Sequence, residues 1–323
     1  MPSRPVNAST SGRALVRVYT GDPADWDLGD VPTSVAIGVF DGVHRGHAAV
    51  FARLMEDTEN RSVVAMTFAT HPVEVVTGRP GPPALTTLER RIELLSALDI
   101  DAVAVIEFDE TVRNLSPRVF VETFIVEGVH AELVSVGEDF RFGYEAGGTV
   151  GTLRVCGGTF GFDVISTPIL TLHGMEVRSS SIRAAIASGS VALAARMLGR
   201  PFEVAGTVVP GDARGRSIGF PTANIAVPSA LVRPASGVYA VTSDIKGARY
   251  LGVCNVGTRP TFGGGDETIE IHFLDFDTDL YDTELRVEFV DRLRNEQRFT
   301  SAESLIVQIR ADIARARIIL SDS

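Results

Sequence analysis

The chain has 323 residues, 45% of them hydrophobic, and a formal net charge of −11, enough apolar material for two domains of ordinary size. The acidic balance argues against nucleic acid as a partner, because non-specific binding requires many phosphates to be neutralised at once. No apolar run approaches the ~18 residues of a membrane-spanning helix, so no membrane partner is expected, and residues 1–12 read as a frayed tail without the apolar centre of a signal peptide.

Through the first 200 residues, strand patterns alternate with helical ones. Strands are predicted at 35–40, 62–68, 101–108, 131–137 and 163–169, and helices at about 46–59, 87–98 and 117–128, the last opened by Ser116 and Pro117. Such alternation implies an α/β Rossmann-like domain, a parallel sheet with helices on both faces and ligands at the carboxyl ends of its strands. Two short helices follow, about 180–188 and 190–198, separated by Gly189 and with Ser190 as a cap. After Pro201 the pattern changes to strand-like runs at 202–209, 237–243, 249–255, 268–274 and 284–290, as in a small antiparallel β-barrel. The C-terminal helix starts with the capping-box pattern Thr300-Ser301-Ala302-Glu303 and carries Leu305, Ile309 and Ile313 on one face. The domain boundary is placed near residue 200, giving domains 1–199 and 200–323. Cys156 and Cys254 fall in different domains and imply no disulfide framework, which points to the reducing cytoplasm.

Two stretches carry phosphate chemistry. VAIGVFDGVHRGHAAV, at 35–50, puts Gly38, Phe40, Asp41, His44, Gly46 and His47 between a strand and a helix. Unsatisfied amides and the helix dipole favour anions there, so a triphosphate can lie across Gly46 and the two imidazoles. A histidine pair of this kind also serves as a cap or a metal pair. No cysteine or carboxylate cluster accompanies it as a zinc site requires, however, and the glycines let a ligand come close to the backbone. There is no GxxxxGK[ST] loop and Lys246 is the only lysine, so phosphate must be met by arginine, histidine and backbone amides.

The second stretch, GRSIGFPTANI at 215–225, packs Gly219, Phe220, Pro221, Thr222 and Asn224 into a turn entering a strand, although PTAN by itself is also just a turn. Thr222 offers a hydroxyl and Asn224 an amide oxygen, donors suited to a hard cation such as Mg²⁺. On the alternating strand Thr268 to His272, Glu270 and His272 share one face while Ile269 and Ile271 take the other; alone, Glu270 reads as part of a solvated face. Two signatures on separate domains suggest two active sites.

GVFDGVHRGH resembles the HxGH signature of the nucleotidylyltransferase superfamily, in the form typical of prokaryotic bifunctional FAD synthetases (riboflavin kinase plus FMN adenylyltransferase). The resemblance continues through Thr67 to Pro72, Leu85 to Leu95, Gly137 to Gly143, and Val177 to Arg183, which is similar to an ISSTxxR motif. Among the departures from the family pattern, Ala69 stands where it has an aspartate, Arg178 where it has a serine and Ser180 where it has a threonine. Ser180 keeps a hydroxyl, whereas Arg178 either adds a phosphate contact or points to solvent. The second half is similar to riboflavin kinases at Gly219 to Asn224, Gly237 to Tyr239, Asn255 to Phe262, Glu270 to His272, Leu274 to Phe276, Asp279 to Tyr281 and Arg292 to Phe299.

The resemblance implies phosphorylation of riboflavin to FMN in the C-terminal domain and adenylylation of FMN to FAD in the N-terminal one, with ATP and Mg²⁺ at both sites. It casts His44, His47, Ser179, Ser180 and Arg183 as phosphate clamps, with Gly38, Phe40, Asp41 and Gly46 around ATP. Asp139 matches an Asn/Asp position near the flavin, and it also reads as a turn residue after a strand. In the kinase half, the resemblance makes Glu270 the base, places Gly211 and Gly219 against ATP phosphates, gives Thr222 and Asn224 to the metal, and assigns Arg298 to the flavin. Two alternatives stand beside this: a nucleotidylyltransferase for another small phosphorylated substrate, and a flavin-binding regulator without turnover. Retention of both histidines, Arg183 and Glu270 argues against the regulator.

Overall fold

Thr33–Ile37 is buried along its whole length, as expected of a central strand in a parallel sheet. The computed structural model describes residues 16–58, 60–211, 215, 218–258 and 267–321. The N-terminal tail, the stretch from Arg259 to Phe262 and much of the approach between Gly211 and Gly219 lie outside them. Numbered in chain order, the strands β1 (Arg17–Tyr19), β2 (Thr33–Ile37), β3 (Ser62–Phe68), β4 (Ala102–Ile106), β5 (Ala131–Gly137) and β6 (Asp163–Thr167) form a parallel sheet in the order β1-β4-β3-β2-β5-β6. The order reverses at β2, which has β3 on one side and β5 on the other. That reversal creates a crevice at the carboxyl ends of β2 and β5.

Alternation along the strands divides the core between two faces. Val35 and Ile37 pack with Met66, Phe120 and Phe124, and Ala36 packs with Phe51, Leu54, Leu95 and Val103. The helices are α1 (Arg45–Met55), α2 (Pro72–Thr77), α3 (Leu88–Ser96), α4 (Glu110–Arg113), α5 (Pro117–Phe120) and α6 (Val150–Phe160). The helix predicted at 117–128 is α-helical only over α5 and widens into a π-helix over Val121–Gly128. The sequence pattern misses α6 because its three glycines depress helix propensity. It forms nonetheless, through a reciprocal Thr149–Thr152 capping box and because Gly157 admits the Phe162 carbonyl, 2.3 Å from where a Cβ would stand.

A short hairpin, β7 (Thr171–Leu172) and β8 (Met175–Glu176), precedes α7 (Ser179–Ala187) and α8 (Val191–Leu198). Next come β9 (Phe202–Val209), β10 (Ala223–Ala226), β11 (Gly237–Ile245), β12 (Ala248–Thr258), β13 (Glu267–Phe273), β14 (Glu284–Arg294) and α9 (Ala302–Ser321). The strands close an antiparallel barrel in the order β10-β13-β12-β11-β14-β9. Sequence reading finds five of these strands. The sixth, β10, is only four residues long and follows turn-forming residues, yet it closes the barrel by pairing with both β13 and β9. Strand β11 is buried on both faces: Tyr239 meets Phe289 edge to face at 5.4 Å, and Val238 and Ala240 pack with Ala316 and Leu320 of α9. Ser301, not Thr300, caps α9, its hydroxyl accepting from the Ser304 amide at 3.2 Å.

The chain divides into two compact units, Met1–Arg178 and Ser179–Ser323. Helices α7 and α8, which lie before residue 200, group with the barrel, where α8 packs on β9 and β14. Arg292 of β14 donates to the Ser188 carbonyl at 3.3 Å, tying down the end of α7.

Cys156 and Cys254 are free and buried, in keeping with the absence of a disulfide framework. Burial, and secondarily Glu270, push the Cys254 thiol far above its ordinary range. The folded protein therefore keeps a proton that the unfolded chain releases from about pH 9, so this contribution to stability is lost as pH rises, by up to ~1.4 kcal/mol per pH unit. Urea unfolding between pH 8 and 10 should show that decline in the barrel unit, and Cys254→Ser should make it shallower. Equal slopes would contradict the assignment.

Candidate active sites

Between β2 and α1 the backbone turns through three residues of positive φ: Phe40 at 52°, Gly42 at 81° and Val43 at 37°. For Phe40 and Val43 that conformation costs roughly 1–3 kcal/mol each, so the surroundings must enforce it. Both side chains are buried, and so is Asp41, whose carboxylate accepts from the amides of Leu85 at 3.0 Å and Thr86 at 3.2 Å. The Gly42 amide donates to the Thr86 hydroxyl at 3.2 Å. Asp41, expected around ATP, also anchors the loop. Gly38 is required because a Cβ would stand 2.9 Å from the Phe40 ring.

The loop delivers His44 and His47 to the first turn of α1, where they cap it reciprocally. Each backbone amide donates to the other ring's Nδ1 at 3.3 Å, and the rings stack at 3.5 Å. With both Nδ1 atoms accepting, Nε2 is the proton-bearing atom of each neutral ring. Phe40 meets His47 edge to face at 5.2 Å. A Cβ on Gly46 would fall 3.0 Å from the His44 ring and 3.2 Å from the Val177 carbonyl, so a glycine is needed there too.

Across the crevice, Asp139 follows the end of β5, and its carboxylate forms an ion pair with Arg178. Arg178 also donates through Nε to Glu176 at 2.6 Å. The hydrogen bonds to Glu176 and then Asp139 raise its guanidinium above the ordinary value. Arg178 therefore neither points to open solvent nor lacks partners. Arg91 is a buried cation that sequence reading passes over: it donates to the Phe68 carbonyl at 2.9 Å and interacts with Asp41. Burial lowers its pKa, with Asp41 and Glu89 opposing. Nothing local marks it, since its partners come from other elements.

In the barrel unit, Asn224 of β10 stands directly opposite Glu270 of β13, which in turn stands opposite Asn255 of β12, so the three form one row across the strands. Ile269 and Ile271 are buried, which turns Glu270 and His272 to the other face, as alternation predicts. His272 Nδ1 lies 2.8 Å from the Pro221 carbonyl and its ring meets Phe220 edge to face, fixing the turn before Thr222. Gly211 is pressed by the Asn224 amide, which lies 2.0 Å from a Cβ position, and Gly219 adopts φ +88°. Asn255 is the residue that sequence reading leaves without a role; its register with Glu270 becomes visible only once the barrel closes.

Among the described residues no group of three His, Cys, Asp or Glu could hold a metal alone. Thr222 has a hydroxyl and Asn224, which stands opposite Glu270, an amide oxygen; with that carboxylate they make a donor set that suits Mg²⁺ when phosphate oxygens and water complete its shell. Ser179, Ser180 and Arg183 lie on α7, in the second unit. Arg298 is exposed between β14 and α9.

The FAD synthetase family model matches residues 29–181 and the riboflavin kinase family model residues 198–320. A bifunctional riboflavin kinase/FMN adenylyltransferase from Pseudomonas fluorescens is 40% identical over 89% of this chain and 93% of its own length. The protein of that name from Bacillus subtilis is 35% identical over 86% and 89%. A solved structure described as a macrolide-efflux protein from Streptococcus pneumoniae superposes with a TM-score of 0.83 at 30% identity, covering 92% of this chain and 97% of that one. Among the described residues no helix is long and apolar enough to cross a membrane.

Proposed function

We propose a division of labour for this chain, which belongs to the bifunctional riboflavin kinase/FMN adenylyltransferase family: the barrel unit phosphorylates riboflavin to FMN with ATP, and the parallel-sheet unit adenylylates FMN to FAD with release of pyrophosphate. The observation that carries this reading is the match of two family models, in this order, to a parallel-sheet region and a closed barrel. A nucleotidylyltransferase for another substrate would have no use for the riboflavin kinase barrel.

In the first unit an FMN phosphate oxygen attacks the α-phosphorus of ATP as the bond to the departing pyrophosphate breaks, so no protein nucleophile is needed. His44 and His47 donate through Nε2 to phosphate oxygens at the entrance of α1, stabilising charge that grows in the transition state. Ser179, Ser180 and Arg183 are read as further clamps on phosphate, and Asp139 as a residue on the flavin side. In the barrel unit Glu270 accepts the proton of the riboflavin 5′-hydroxyl as its oxygen attacks the γ-phosphorus, and ADP leaves. Thr222 and Asn224 would hold Mg²⁺, which neutralises the phosphate charge when bound. Gly211 and Gly219 let the nucleotide approach the backbone, and Arg298 is assigned to the flavin. The compartment proposed is the cytoplasm.

Incubating the purified chain with riboflavin and ATP–Mg²⁺ and separating the flavins should give FMN and then FAD. Failure to form either product would reject the corresponding half.

The barrel unit is proposed to phosphorylate riboflavin without residues 1–178, and truncation tests this. A fragment covering 179–323 should unfold cooperatively and phosphorylate riboflavin unaided. A fragment covering 200–323 keeps Thr222, Asn224 and Glu270 but loses the buried side chains of Val191, Ala194, Met197 and Leu198. It should still phosphorylate riboflavin, with a Tm lower by about 10 °C. A cooperatively folded 179–323 fragment without kinase activity would show that the first unit contributes to that site.

A further inference from the structure

We infer that Arg178 is a positioning residue for adenylylation: braced by Glu176, it fixes the Asp139 carboxylate at the carboxyl end of β5, where FMN is received. The inference rests on reading Asp139 as a residue on the flavin side. Arg178 is a guanidinium bonded to carboxylates on both sides, Glu176 two residues earlier and Asp139 on another element. The backbone beneath it is fixed, for Val177 is buried and its carbonyl lies against the first turn of α1 at Gly46. Arg178 therefore starts beside the phosphate end of the crevice and reaches across to the β5 end.

One carboxylate oxygen of Asp139 is in the ion pair with Arg178, and the other lies over Gly137 at the end of β5, where a side chain would crowd it. Without Arg178, Asp139 and Glu176 would stand as uncompensated carboxylates beside a site that takes two anionic substrates. The arginine and aspartate side chains are 35% and 52% exposed, so solvent screening keeps the effect modest.

The test uses the full chain, varying FMN at saturating ATP. Arg178→Ser should raise KM for FMN about fivefold, change kcat and KM for ATP by less than twofold, and leave riboflavin phosphorylation unchanged. Asp139→Asn should raise KM for FMN similarly, and the double variant should be no worse than either single one. Arg178→Lys should recover part of the loss, and about 1 M salt should narrow the gap between Arg178→Ser and wild type. An unchanged KM for FMN, additive single effects, or parallel losses in both substrates and kcat would overturn the inference. A wild-type chain that makes no FAD would overturn the underlying reading, and the inference with it.

Discussion

Replacing His47 with alanine is expected to abolish FAD formation while riboflavin is still converted to FMN at the wild-type rate. The side chain acts twice at the entrance of α1: its Nδ1 accepts the His44 amide, and its ring stacks on His44 at 3.5 Å. Truncation removes a donor to phosphate and half of the reciprocal cap, leaving His44 without its stacked partner. Loss of a preorganised donor to developing negative charge costs roughly 10²–10³-fold in rate. Loss of the cap costs only ~1 kcal/mol of stability. Adenylylation should therefore fall by at least about 100-fold, with a small change in Tm and full kinase activity. Equal loss of both activities would contradict a two-site enzyme.

The converse holds for Glu270→Gln, which should block riboflavin phosphorylation and leave the conversion of supplied FMN to FAD intact. Glutamine keeps the volume and the place in the row with Asn224 and Asn255, so the substitution isolates the loss of the base. General-base catalysis is worth roughly 10²–10⁴-fold, and a drop in kcat within that range is expected. Near-normal kinase turnover would remove Glu270 from the role of base.

What was legible in the sequence was what local pattern encodes. The apolar run ending at Gly38, the helical pattern beyond it, and the alternation that turns Glu270 away from Ile269 and Ile271 follow from periods of 3.6 and 2. What was not legible depends on partners distant in the chain. Nothing local shows that Leu85 and Thr86 meet Asp41, or that Asp139 lies beside Arg178. Strand β10 is too short to announce itself, and closing the barrel is a tertiary event. The grouping of α7 and α8 with the barrel, partly through Arg292, likewise depends on contacts that no local window contains. The histidine pair is an intermediate case: its i, i+3 spacing was visible, but a capping box is usually sought as serine or threonine with glutamate.

The central claim is that one chain holds two separate active sites linked by FMN that passes through solvent. Mixing the His47→Ala and Glu270→Gln proteins with riboflavin and ATP–Mg²⁺ tests it most directly. Alone, the first should stop at FMN and the second should leave riboflavin unchanged, while the mixture should accumulate FAD as FMN released by one protein is taken up by the other. A mixture that makes FMN but no FAD, although the Glu270→Gln protein converts supplied FMN, would contradict the account.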